Sequence, residues 1–411
     1  MSALRPATLF GVVLAAMACI GWRILATSAG DLGVAASAEH ALEWDPRNPA
    51  ARLALARRAL HDGDRAAART AARALLRDEP LAASALGVLA QASEGEGDDV
   101  MAERLHAIAL RRAPRDPNVR AWTIDRDLAR GRYDDALAHL SVLLRVWPSQ
   151  QRMLLPVMVD LSRAPAFADA MLRTLSTHPA WRAALLDALL ARGDGATVDR
   201  IFEGLDVGAD LSIAESGAWL ERLMRDGRWS EAYGRWASGI GRGAGAALPA
   251  LYNGGFEHAL SNIGFDWRVR AVPGVYVERV RAAGASGEFA LKIAFAHRRV
   301  PAVGLSQTTL LAPGSYRLSY RARTEDLQSD RGIEWAIACE GASIPLAEGQ
   351  PLTGRSDWTT YEVTFEVPAA DCVAQRLGLR NPGAGGPGKM VSGIIWLDDM
   401  RLEPLVPVAP R

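Results

Sequence analysis

Lysine is almost missing from this sequence: among 411 residues only Lys292 and Lys389 carry it, so positive charge rests on arginine. We read that usage, beside abundant alanine and glycine, as the coding bias of a GC-rich bacterium. Charge of one sign is lacking too. The 47 basic and 47 acidic residues cancel, which removes the field that would draw nucleic acid or an anionic membrane surface. No nucleic-acid partner is expected. Three cysteines and seven scattered histidines leave no zinc-ligand spacing, and no serine elbow or cysteine–histidine pairing occurs. What remains, 49% hydrophobic and 23% charged, is ordinary globular chemistry.

The N-terminus, "MSALRPATLFGVVLAAMACIGWRIL", is uncharged from Pro6 to Trp22 between Arg5 and Arg23. A run of that length stands between a signal-peptide core and a membrane-spanning helix. Residues 1–28 are therefore expected to be a signal-anchor in a bacterial inner membrane, with cleavage and release to the periplasm as the alternative. Either reading exports the rest of the chain. Cys339 and Cys372 then lie in an oxidising compartment, where a disulfide is expected, with two buried thiols as the other option.

From residue 37 apolar positions fall three and four apart, the pattern of helices. Pro46, Pro80, Pro114 and Pro148 are spaced by 34, as are Gly63, Gly97 and Gly131, and Ala68, Ala102 and Ala136. Glycine permits a turn, alanine a close helix–helix approach, and proline a stop. The register slips after Pro148 and returns with Gly193 and Gly227, again 34 apart. Units such as "RAWTIDRDLARGRYDDALAHLSVLLRVWP" resemble the tetratricopeptide repeat family. About six divergent units over 37–238 are expected, and the resemblance implies a groove for a protein partner.

"SGIGRGAGAALPA" reads as a Gly/Ala linker over 239–250. Gly241, Gly243 and Ala246 echo a dinucleotide fingerprint with no strand before them. "GAGGPGKM" from Gly383 echoes a phosphate loop, but Met390 stands where a hydroxyl is required. Neither is retained as a site.

Beyond residue 250 short β-branched and aromatic runs, among them "GVYVERVRA", "SYRLSYRART" and "GIIWLDDMRLEP", are bounded by turn residues. Eight or nine strands predict an all-β sandwich over 251–405, with a tail at 406–411. The fold class is thus an all-α repeat solenoid followed by an all-β sandwich. The order "NGGFE", "ALKI", "LAPGSYRLSYRAR", "YEVTFEVP" and "IIWLDDMRL" resembles the galactose-binding-like jelly roll of carbohydrate-binding modules. That likeness implies a structural calcium on Glu257 and Asp398, with hydrogen bonding alone as the alternative. Alternation places Trp396, Asp398, Met400 and Leu402 on one face, with Asp398 inward.

Sugar recognition needs an aromatic platform flanked by planar polar groups. The outward surface expected to supply them carries Arg321, Arg323, Glu334, Arg376 and Arg380, with Gln307 and Trp267. A solvated charged face is the competing account. A glycosidase needs two carboxylates across a cleft, for which no further domain is left. The expectation is a non-catalytic periplasmic scaffold in exopolysaccharide assembly or export, binding protein through its repeats and a polysaccharide through its jelly roll. The alternatives are a purely protein-binding assembly factor and a sugar-binding accessory subunit of a separate hydrolase.

Overall fold

A computed structural model describes residues 37–241, 248–382 and 390–405. The expected signal or anchor segment lies outside the described residues, as do 242–247 of the linker, most of the phosphate-loop echo and the tail. Among the described residues no helix is long and apolar enough to cross a membrane.

Among the described residues a first helix, α1 (Ala38–Trp44), precedes six helical pairs. They are α2 (Pro49–His61) and α3 (Arg65–Asp78), α4 (Ala83–Glu94) and α5 (Asp99–Arg112), and α6 (Pro117–Ala129) and α7 (Tyr133–Val146). Then come α8 (Gln151–Leu161) and α9 (Pro165–Leu175), α10 (Arg182–Arg192) and α11 (Gly195–Val207), and α12 (Ile213–Arg225) and α13 (Trp229–Gly241). The three sequence ladders each have a physical role. Gly63, Gly97 and Gly131 turn the chain inside the first three pairs with φ of 80°, 84° and 70°, a region that costs other residues energy. Ala68, Ala102 and Ala136 are 0%, 0% and 2% exposed where the second helix of each pair packs. Asp64 and Asp98 cap α3 and α5, accepting from the amides of Ala67 and Met101. Gly193 ends α10 at φ −64°, so the slipped register uses a different turn. Gly227 restores the left-handed one at 77°.

The chain divides into two compact units between Asp210 and Leu211. The sixth helical pair, α12 and α13, therefore belongs to the same compact unit as the β-structure. Phe265 meets Tyr233 and Trp236 at ring-centroid distances of 5.1 and 5.5 Å, and Tyr252 meets Trp236 edge-on at 5.2 Å. The segment "YNGGFEHALSNIGFDW" therefore serves two packings. Phe256 and Trp267 face the sandwich core, both 0% exposed, while Tyr252 and Phe265 face the helices.

Among the described residues the sandwich has ten strands: β1 (Arg268–Val269), β2 (Val275–Arg281), β3 (Phe289–Arg299), β4 (Leu305–Thr309), β5 (Gly314–Gln328), β6 (Glu334–Cys339), β7 (Ala347–Glu348), β8 (Gly354–Val367), β9 (Gln375–Arg380) and β10 (Met390–Pro404). The first sheet runs β1-β4-β9-β6-β7 and the second β2-β3-β10-β5-β8, with every pairing antiparallel. Inward residues alternate along each strand. Leu291, Ile293, Leu318, Tyr320, Trp335, Leu377, Ile395 and Leu397 are each 0% exposed between the sheets. Cys339 at the end of β6 and Cys372 before β9 form a disulfide.

Candidate functional site

The outer face of the first sheet has a floor of small side chains. Arg268, Ser306, Gly378, Ala336 and Glu348 are successive register partners across β1, β4, β9, β6 and β7. The next row is Thr308, Arg376 and Ala338. A Cβ added to Gly378 would touch only the Ser306 Cβ, at 4.0 Å, so nothing stands over the middle of the floor. This row lies in a groove of about 860 Å³. Its far border is the turn holding Ser343 and Pro345, and its near wall comes from the helices, through Glu221 and Met224 of α12 and Trp229 of α13.

Charge is distributed unevenly around this groove. Arg380 forms two hydrogen bonds to Glu334 Oε1, at 2.8 and 2.6 Å, and also pairs with Glu348. Arg268 donates to Glu221 and to the carbonyls of Gly264 and Asn262. Glu340 accepts from the Thr308 hydroxyl at 2.9 Å. Arg376 and Arg270, both exposed and both lining the groove, have no side-chain hydrogen bond or ion pair to any described residue. Cationic donors thus remain free at the centre of the floor and near its helical wall.

The residues expected on one binding surface are divided among three places. Glu334, Arg376 and Arg380 do belong to the groove face. Trp267 and Gln307 do not: both are 0% exposed inside the sandwich. The Trp267 indole donates to the Asn253 carbonyl at 3.1 Å, and the Gln307 amide donates to the Tyr252 carbonyl at 2.9 Å. They hold the entry segment in place. Arg321 and Arg323 stand on the outer face of the opposite sheet. There Arg323 lies over Trp396 at 4.6 Å, Lys292 over the same ring at 5.5 Å, and Arg321 over Trp358 at 5.2 Å. These rings already carry protein cations on their faces.

Strand parity explains part of the error. A bulge between Asp398 and Arg401 shifts β10 against β5, with Asp399 at φ 50°. Trp396 therefore faces outward, its indole donating to Glu325 at 2.9 Å, while Met400 and Leu402 face the core. Asp398 shares the side of Trp396 and of its register partner Arg321. It is 0% exposed because the loop before β3 covers it. No sequence signal marked Trp229, Glu221 or Arg270 for the groove, since the first two read as ordinary repeat positions.

Glu257 and Asp398 do converge on that loop. Asp398 accepts from the amides of Ser286 and Asp399, and Arg321 lies 3.9 Å from its Oδ2. Glu257 Oε1 accepts from the amides of Glu288 and Phe289 at 3.0 and 3.1 Å. Calcium takes six to eight oxygen ligands, whereas these two carboxylates are engaged by four amides and faced by a guanidinium. Among the described residues no cluster of three or more acidic, histidine or cysteine side chains is placed to hold a metal. Hydrogen bonds from these four amides fasten the loop.

By these features the C-terminal part is a two-sheet antiparallel sandwich with a groove across one outer face. No protein-family model and no curated protein matches the chain. Solved structures similar to it include one titled "CBM4 structure and function", at 16% identity, covering 38% of this chain and 99% of that one, with a TM-score of 0.29. The CBM22-1 xylan-binding domain from Paenibacillus barcinonensis Xyn10C is 13% identical, with 40% and 100% covered and a TM-score of 0.28. Family 16 Carbohydrate Binding Module-2 is 17% identical, with 37% and 98% covered and a TM-score of 0.28. These stand as similarities; what the groove can do rests on its own residues.

Proposed function

We propose that this protein is a non-catalytic, exported scaffold of bacterial exopolysaccharide assembly or export. Its sandwich binds a glycan in the groove of the first sheet, and its tetratricopeptide-like helical pairs bind a protein partner. The observation that carries the glycan reading is the open row Ser306–Gly378–Ala336, flanked by Arg376 and by the Trp229 wall. A shallow floor of small side chains admits a sugar ring, and planar donors beside it match hydroxyl and carboxylate oxygens. The disulfide favours an oxidising compartment. Catalysis is not part of the reading, because the carboxylates of the groove face are held: Glu221 by Arg268, Glu340 by Thr308, and Glu334 and Glu348 by Arg380.

Affinity electrophoresis of the full chain through gels containing acidic and neutral polysaccharides tests this. Retardation by at least one polymer, weakened by Arg376→Ala, is the expected result. Free migration through every polymer would overturn the glycan reading and leave a protein-binding assembly factor.

A further inference from the structure

The cross-strand direction of the floor and the position of the sixth helical pair together restrict what the groove accepts. A chain laid along Glu348, Ala336, Gly378 and Ser306 is led directly to Arg268 by the strand register. There it meets α12, because Arg268 is tied to Glu221 and the groove is lined at this end by Met224 and Trp229. This wall is fixed to the sandwich by the aromatic contacts of Phe265 and Tyr252 with Tyr233 and Trp236. A polymer therefore cannot continue past β1 in the direction the floor sets.

Of the four arginines lining the groove, Arg268 and Arg380 are consumed by Glu221 and by Glu334 with Glu348. Arg376 and Arg270 retain their guanidinium donors among the described residues. A guanidinium fork matches a carboxylate in two parallel hydrogen bonds. Trp229, half-buried on the wall, is the aromatic surface that the sheet itself does not supply.

We infer that the groove is a chain-end site for an acidic glycan, holding the terminal uronate-type residues of one chain with carboxylates on Arg376 and Arg270 and the last ring against Trp229. This rests on the glycan-binding reading and narrows it to one end of one polymer class. The helical pair thereby becomes part of the recognition site as well as a connector.

The test is titration calorimetry of the full chain with size-fractionated oligogalacturonates, oligoguluronates, oligomannuronates and hyaluronan oligosaccharides. Each is paired with its carboxyl-reduced neutral counterpart. A chain-end site binds one protein per oligosaccharide at every length. The neutral counterpart should bind at least tenfold more weakly. Trp229→Ala and Arg376→Ala should each weaken binding at least tenfold, Trp229→Phe should retain most of it, and unchanged melting temperatures confirm that the variants fold. Stoichiometry that rises with oligosaccharide length, or equal affinity for reduced and acidic forms, overturns the inference while leaving glycan binding intact. Binding of neutral glycans alone does the same. No heat with any probe, combined with free migration in the gels, overturns both.

Discussion

Gly254 and Met400 fasten the first segment of the sandwich to its last strand. The Met400 amide donates to the Gly254 carbonyl at 2.9 Å, and a Cβ on Gly254 would stand 2.0 Å from the Met400 oxygen. The neighbouring Gly255 has nothing closer than 3.9 Å. Gly254→Ala should therefore cost the sandwich about 3 kcal/mol or more through backbone displacement, and Gly255→Ala about 1 kcal/mol or less. Calorimetry of the two variants checks the difference. Equal effects would mean that the close approach is not what selects glycine.

Asp398 and Glu257 pin the loop before β3 from opposite ends of the sandwich segment. Asp398→Ala leaves the Ser286 amide and Arg321 without a buried carboxylate, and should destabilise by about 2–4 kcal/mol. Glu257 is exposed, and its replacement by alanine should cost less, about 1–2 kcal/mol. Because hydrogen bonds fasten the loop, millimolar calcium or EGTA should move the melting temperature by under about 2 °C. A larger rise with calcium would show that a cation displaces those amides.

The Cys339–Cys372 disulfide closes a sequence separation of 33 residues, worth roughly 3–4 kcal/mol on the chain-entropy account. The double replacement by serine should lower the melting temperature of the sandwich, and reductant should do the same to the parent protein. An unchanged melting curve in dithiothreitol would contradict this. The groove floor should survive reduction near room temperature, since β6 and β9 keep their ladder from Glu334 to Cys339.

His106 of α5 is buried against Trp122, and burial first, with Arg126 second, pushes its pKa down to about 2. The unfolded chain takes up a proton near pH 6.5 that the folded one refuses. Stability from this group is therefore present above that pH and is lost as pH falls, by up to about 1.4 kcal/mol per pH unit. The helical unit should melt lower at pH 5 than at pH 7.5, and His106→Leu should flatten that slope. A slope unaltered by the substitution would assign the acid sensitivity elsewhere.

Trp236 leaves no room beside Gly264, where a Cβ would lie 2.3 Å from the indole Cδ1. Gly264→Leu should force α13 away from the sandwich and expose Trp236. The expected readings are a red-shifted tryptophan emission and faster proteolysis between α13 and β1. If glycan binding persists in this variant with length-dependent stoichiometry, the helical wall is what had limited binding to chain ends.

Much of this architecture was legible in the sequence because its signals are local and repeated. The 34-residue ladders of glycine, alanine and proline place turn, contact and stop in each early pair, and the structure puts all three where that pattern requires. The outward placing of Arg376 and Arg380 was legible in the same way. The cysteine pair was also legible, as partners within one domain, and the residues that the resemblance singled out, Glu257 and Asp398, bond to the same loop.

The sequence by itself thus determined the helical pairs, the two-sheet sandwich and the polarity of most strand positions. Each follows from a period of 3.6 or two residues acting within a few turns of chain. Only the tertiary structure decided which outward positions share a surface. Arg321 and Arg376 have the same local pattern yet occupy opposite faces of the sandwich, because sheet order is set by pairing between distant strands. The bulge at Asp398 reversed the parity that alternation implied, and the loop before β3 buried a carboxylate that strand position alone would expose. The groove's helical wall likewise arises from aromatic packing of Phe265 and Tyr252 against α13, a contact between segments whose separate periodicities carry no record of each other.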